Sequence, residues 1–127
     1  MFVLTQPQPI DQIIEYIELE GKIPKHIPAL STRPIIRYEN EPEAKDINYN
    51  YRSIVGKLNF PEKSTRPNIS YATHMARRLY EDPRKSHHAA LKNIGQYLLS
   101  TRSCGLVFKL NTALYLEVFV DSDFSGN

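Results

Sequence analysis

The sequence predicts a mainly helical α+β fold that ends in a C-terminal β-hairpin. Three observations lead there. Four stretches repeat apolar residues at the i, i+3, i+4, i+7 spacing of a helix face. Leu114, Leu116, Val118 and Val120 alternate with Tyr115, Glu117, Phe119 and Asp121, the period of a strand with one buried face. The 127 residues are 41% hydrophobic and 24% charged, a globular balance that excludes wholesale disorder.

The first stripe is Ile10, Ile13, Ile14 and Ile17, with Asp11, Gln12, Glu15 and Glu18 on the other side. It predicts an amphipathic helix opened by Pro9 and closed by Gly21, within a segment spanning 1–20. A helix that short needs a partner surface. Residues 21–50 hold Pro24, Pro28, Pro34 and Pro42 and sustain neither period, so they read as a linker or a strap lying on another surface. Helical patterning resumes over 51–104. Tyr51, Ile54, Val55 and Leu58 form a stripe that Pro61 should end, because the residue before a proline disfavours the helical region. Gly56 weakens that helix by ~1 kcal/mol relative to alanine. A third helix over 69–80 starts near Asn68 as N-cap and buries Ile69, Ala72, Met75, Ala76 and Leu79. A fourth over 86–99, capped by Asp82 or Ser86, buries Ala90, Leu91, Ile94, Tyr97 and Leu98. Over 105–127, Gly105–Leu110 and Leu114–Val120 should pair as a hairpin through Asn111-Thr112-Ala113. Two strands with an open apolar face and no following element imply a truncated sheet.

The net charge of +2 conceals a division. Residues 1–50 carry five Lys/Arg against eight Asp/Glu, residues 51–110 eleven against three, and residues 111–127 none against three. A basic helical block flanked by acidic ends can attract a polyanion while the whole chain looks nearly neutral. The single cysteine, Cys104, excludes an internal disulfide framework and points to a reducing, intracellular compartment. No apolar run approaches the ~18 residues of a membrane helix, and the N-terminus lacks the pattern of a secretory leader. His87-His88 without nearby Cys partners is a poor zinc site. The five glycines form no phosphate loop. Tyr49 and Tyr51 read as packing residues.

Several stretches in order resemble copia-type LTR retrotransposon Pol polyproteins, at the junction of reverse transcriptase and ribonuclease H. Tyr51-Arg52-Ser53-Ile54-Val55-Gly56-Lys57-Leu58 resembles a Y-R-S-hydrophobic-hydrophobic-G-x-L segment. Thr65-Arg66-Pro67-Asn68-Ile69 resembles T-R-P-D-I, with Asn68 replacing the acid. Pro83 and His87 match a P-x-x-x-H spacing, and Ala90–Leu98 resembles the following helix, with Gln96 where that family has a base. Leu99-Ser100-Thr101 stands where the family has Lys-Gly-Thr. Gly105-Leu106 and Asp121-Ser122-Asp123-Phe124-Ser125-Gly126 resemble the G-L and D-A-D-[WF]-A-G segments, and Thr5-Gln6 with the first helix resembles the upstream T-Q segment.

The resemblance implies a fragment of a polyprotein that performs RNA-directed DNA synthesis and ribonuclease H cleavage. Residues 51–104 would be a thumb/connection-like region, and 105–127 the hairpin with the first strand of a truncated ribonuclease H domain. Both parent activities use Mg²⁺ held by carboxylates. Asp121 matches the first ribonuclease H carboxylate, with Asp123 the alternative, as an incomplete catalytic and metal site. The sequence has no Asp-Asp pair for a polymerase palm, so the chain alone is expected to be inactive and to hold no cofactor. The expected partners are an RNA–DNA hybrid or duplex, bound weakly without sequence preference, and the missing polyprotein domains. No membrane is expected as a partner. Arg66, Arg77, Arg78, Arg84, Lys85, His88 and Lys92 are the candidate backbone contacts. The alternative reading is a non-catalytic helical interaction module, or a degenerate frame without retained function.

Overall fold

A computed structural model describes residues 1–19, 23–29, 41, 49–109 and 117–120. Its elements are β1 (Phe2–Leu4), α1 (Pro7–Tyr16), α2 (Tyr51–Ser64), a 3₁₀ turn (Pro67–Ile69), α3 (Ser70–Arg77), α4 (Lys85–Ser100) and β2 (Leu106–Phe108). The class is α+β and mainly helical, as the periodicities require. The four helices close a ring in which α1 packs on α2 and α4, and α3 packs on α2 and α4.

The stripes supply the core. Ile10, Ile13, Ile14 and Ile17 of the first, and Tyr51, Ile54, Val55 and Leu58 of the second, are all buried. Ile69, Ala72, Ala76, Leu91, Ile94 and Leu98 complete the same cluster. Each large aliphatic side chain removed from water contributes about 1.5–3 kcal/mol. The N-terminal segment thus shares one core with the later helices.

The end of α1 shows how this closure is made. Glu18 adopts a left-handed conformation (φ 58°), the Glu18 N–H donates to the Glu15 carbonyl, and the Leu19 N–H donates to the Ile14 carbonyl at 3.0 Å. This is a Schellman cap, and it terminates the helix three residues before the expected Gly21. The cap turns Leu19 inward against α4. A Cβ built on Gly95 would lie 2.4 Å from the Leu19 Cδ1, so the glycine in the interior of α4 admits that close approach.

Other helix boundaries also differ from the sequence reading. Pro61 does not end α2; it lies inside the last turn, fully buried, and its carbonyl accepts from the N–H groups of Thr65 and Arg66. Burial of the ring and this doubled acceptor role offset the cost of an interior proline. Asn68 does not cap the third helix, because a 3₁₀ turn precedes α3 and the Asn68 side chain is engaged by Arg66 and Tyr97. Neither Asp82 nor Ser86 is the N-cap of α4. Arg84 occupies that position, and its N–H donates to the His87 Nδ1 at 3.0 Å.

The antiparallel pair includes a strand that the sequence reading does not name. β2 pairs with β1, with Phe2, Val3 and Leu4 opposite Phe108, Val107 and Leu106. The expected hairpin partner was Leu114–Val120. Its described part, residues 117–120, carries no strand, while its remaining residues and the turn lie outside the described residues. The α1–α4 contact brings residues 2–4 beside residues 106–108. The stacked rings of Phe2 and Phe108, 5.3 Å apart, add a cross-strand contact.

The described part of the strap lies along α4. The Lys25 N–H donates to the Gln96 carbonyl, Ser100 Oγ donates to the Lys25 carbonyl, and Asn93 Nδ2 donates to the carbonyls of Ile27 and Pro28. Among the described residues no helix is long and apolar enough to cross a membrane.

Gly105 makes the new strand pairing testable. A Cβ there would meet the Leu4 carbonyl oxygen at 1.8 Å, and that atom is backbone. Gly105→Ala is expected to part β1 from β2 at a cost of about 1–3 kcal/mol locally, the usual scale for forced overpacking. Hydrogen exchange should then show lost protection at residues 2–4 and 106–108 with the helices unchanged. Retained protection in the variant would count against the pairing.

Candidate nucleic-acid interface

The basic block divides into a structural part and a surface part. Arg66 belongs to the first. It is 1% exposed. Its Nη1 donates to the Thr101 carbonyl at 2.8 Å, its Nη2 to the Thr101 Oγ1 at 2.6 Å, and its Nε to the Asn68 Oδ1 at 3.2 Å. The guanidinium also sits 5.6 Å from the centre of the Tyr97 ring. A buried charge is tolerated only when its donors are met in this way. Arg66 therefore ties the α2–α3 corner to the end of α4, and it cannot contact a phosphate without opening the fold. The sequence reading placed it in the interface, and the burial removes it.

His88 is also structural. It is 6% exposed on the buried side of α4, with its ring edge-on to Tyr49 and Tyr51 at centroid distances of 5.4 and 5.1 Å. Its Nδ1 is 3.1 Å from the Tyr49 hydroxyl. Tyr51 donates its hydroxyl to the Ala76 carbonyl at 2.7 Å, which fastens the start of α2 to the end of α3. Burial pushes the Tyr49 phenol up to about 12 and the Tyr51 phenol higher still. Burial lowers the His88 pKa, and the nearby charges of Lys92 and His87 lower it further.

Two arginines are partly engaged. Arg77 donates through Nη2 to Asn59 Oδ1 and lies 3.7 Å from the Glu62 carboxylate. Arg84 pairs with Asp82 at 2.7 Å, and its Nη1 donates to the Glu41 carbonyl. The Glu41 carboxylate accepts from the Ser86 N–H at 2.7 Å and from the Ser86 Oγ at 2.8 Å. The hydrogen bond from the Ser86 hydroxyl holds the Glu41 carboxyl below the usual carboxylate range. An anion at the first turn of α4 also suits the helix dipole.

Arg78, Lys85 and Lys92 are exposed. Lys85 and Lys92 are seven residues apart on α4 and share a face, and Arg78 lies just past the end of α3, joined to the start of α4 by a short turn. Lys85 and Lys92 thus share one outer face of α4, Arg78 is exposed just past α3, and Arg77 and Arg84 are held in ion pairs. Asp121 and Asp123 lie outside the described residues. Among the described residues no group of three or more His, Cys, Asp or Glu is placed to hold a metal ion.

The sequence reading missed Arg52. The residue follows Tyr51 on α2, off the buried stripe, and its guanidinium stands 5.0 Å from the centre of the Tyr80 ring. Its helical phase relative to Ile54 and Leu58 was the available signal. The role of Tyr80 depended on the turn after α3, which periodicity does not define.

The chain is similar to known transposon proteins. It is 34% identical over 95 residues to a transposon Ty5-1 protein of Saccharomyces cerevisiae, covering 75% of this chain and 30% of that protein. It is 38% identical over 77 residues to a retrovirus-related Pol polyprotein from transposon RE1 of Arabidopsis thaliana, covering 61% of this chain and 5% of the polyprotein. The Pol polyprotein from transposon TNT 1-94 of Nicotiana tabacum is 27% identical over 128 aligned positions, which take in 98% of this chain and 10% of the polyprotein. The chain therefore spans less than a third of each of these relatives. No family model matches the sequence, and no solved structure matches the chain.

The buried His88 gives stability a pH dependence. Its folded-state pKa lies below the unfolded value of about 6.5, so the unfolded chain binds more protons in between. The stabilisation is complete above pH ~6.5 and is lost as pH falls from there toward the depressed pKa. Urea midpoints are expected to fall between pH 7.5 and 5.5, a window chosen above the ordinary carboxylate range so that Glu41 does not contribute. His88→Phe should flatten that fall. An equal fall in the variant would assign the effect elsewhere.

Proposed function

The chain is related to the Pol polyproteins of retrotransposons, and from that kinship we propose that it is the copia-type segment linking reverse transcriptase to ribonuclease H. Its own physical role in this reading is to hold the phosphate backbone of an RNA–DNA hybrid or duplex. The observation that supports it is the sorting of the basic block: Arg66 is absorbed into the fold, while Arg78 just past α3 and Lys85 and Lys92 on α4 stay exposed. Arg84, next to Lys85, can reach a phosphate if its ion pair with Asp82 exchanges. A partly exposed pair of that kind is worth at most about 1 kcal/mol, whereas the largely buried Glu62 carboxylate holds Arg77 in place.

The chemistry of backbone binding follows from charge alone. Each phosphate neutralised releases condensed counterions, so affinity falls steeply with salt and carries no sequence information. An A-like hybrid offers its phosphates and sugar hydroxyls across a wide minor groove, which suits a convex helix pair better than a base-reading insertion does.

Polymerisation and RNA cleavage belong to the parent polyprotein in this proposal. Mg²⁺ would act there as the two-metal clamp of both reactions. Asp121, with Asp123 as its alternative, would supply the beginning of the ribonuclease H ligand set.

The test is binding to a fluorescein-labelled 20-base-pair RNA–DNA hybrid followed by anisotropy. Arg78→Glu, Lys85→Glu and Lys92→Glu combined should weaken binding by at least tenfold at 50 mM salt. Each single reversal should lower the slope of log K against log salt by about one contact. Binding that is unchanged by the triple reversal, or that does not vary between 50 and 200 mM salt, would reject the interface.

A further inference from the structure

A cleft of about 360 Å³ opens between the start of α2 and the turn that joins α3 to α4. Its walls include Tyr49, Tyr51, Arg52, Tyr80, Pro83 and His88. His88 stands between Lys85 and Lys92 on α4, so the cleft borders the Lys85–Lys92 face, and the backbone grip does not use its rings. Its volume is at the lower end of the ~300–1,000 Å³ typical of small-ligand sites.

We infer that this cleft receives one unpaired nucleotide of a single-stranded nucleic acid, with its base against the ring-lined wall and its phosphate toward Arg52. The inference rests on the proposal that the chain works on nucleic acid, and it adds a single-strand site to the duplex grip. Three features carry it. Four rings line it, of which Tyr80 and, in part, Tyr49 are open to solvent while the buried Tyr51 and His88 back them, and every nucleobase has a π-face that stacks on an open ring without regard to sequence. The Tyr51 and Tyr49 hydroxyls are engaged with the Ala76 carbonyl and with His88, so these rings are held in fixed orientations rather than free to collapse into the cleft. Arg52 is a full positive charge in the wall, no carboxylate is among the described residues that line it, and its guanidinium already lies over Tyr80, the arrangement in which a planar cation can meet a phosphate at the edge of a stack. A paired base in a duplex has both faces covered by its neighbours, so a stacking wall of this kind selects a base that has left the helix.

The experiment uses the full chain with two labelled probes, a ten-residue oligoadenylate and a ten-base-pair RNA–DNA hybrid, in anisotropy titrations at fixed salt. Tyr80→Ala should weaken oligoadenylate binding at least about fivefold, the lower bound for losing one base–aromatic stack, and change hybrid binding less than twofold. Tyr80→Phe should restore single-strand affinity. Arg52→Ala should weaken the single strand as well. Equal oligoadenylate binding by wild type and Tyr80→Ala would overturn the cleft assignment and leave the duplex grip standing. Hybrid binding lost throughout, with a Tyr80-dependent single strand, would reject the grip and keep the cleft. A direct reading needs no variant: adenosine monophosphate should shift the Tyr80 and Tyr49 ring proton resonances in NMR spectra. Shifts confined to other tyrosines would place the base elsewhere and refute the inference, and phenyl phosphate binding here while the oligonucleotide does not would refute it in favour of a phosphorylated aromatic group.

Discussion

The buried guanidinium of Arg66 is the constraint on which the arrangement of the helices turns. A charge taken out of water costs several kcal/mol unless every donor finds an acceptor. Arg66 finds them at Thr101 and Asn68, on two different elements, with the Tyr97 ring alongside. Those requirements fix the end of α4 against the corner after α2. The same corner reaches α1, because Thr65 Oγ1 donates to Gln6 Oε1 at 2.7 Å. Three helices thus converge on four consecutive residues, Thr65 to Asn68. The backbone N–H of Arg66 donates to the carbonyl of Pro61, so a proline inside a helix becomes part of the same junction.

This junction explains why a basic segment can be both structural and functional. A sequence counts charges without regard to depth. In the folded chain Arg66 is spent on the interior, Arg77 and Arg84 on neighbouring carboxylates, and Arg78, Lys85 and Lys92 remain for water or a polyanion. The proposed phosphate grip is therefore smaller than the formal charge of the segment suggests. It is also better placed, since the buried Arg66 and His88 hold rigid the helices that present it.

The helices were legible because each buries a single stripe at a regular period. All eight residues named for the first two stripes are in the core. What was not legible depended on contacts between distant positions. The pairing of β1 with β2 follows from the ring of helices bringing residues 2–4 beside 106–108, and no local pattern announces it. Glu41 at the first turn of α4 is 45 residues from Ser86 in sequence. The αL conformation of Glu18 was hidden because the cap uses a glutamate where glycine is usual. Among candidate site residues, Arg78, Lys85 and Lys92 were placed on the surface by helical phase. Helical phase also set His88 with Lys85 and Lys92, and basic charge made Arg66 a candidate, but both are buried, and their hydrogen bonds to Tyr49 and Thr101 make that burial tolerable.

The most direct measurement of the central claim is a double-mutant cycle between Arg66 and Thr101, read by urea unfolding of Arg66→Met, Thr101→Val and the pair. Charge-assisted hydrogen bonds in a buried setting contribute about 1.5–3 kcal/mol, so a coupling of at least ~1 kcal/mol is predicted between the two sites. Additivity to within ~0.3 kcal/mol would contradict the account, because it would mean that the guanidinium and the end of α4 do not hold one another in place.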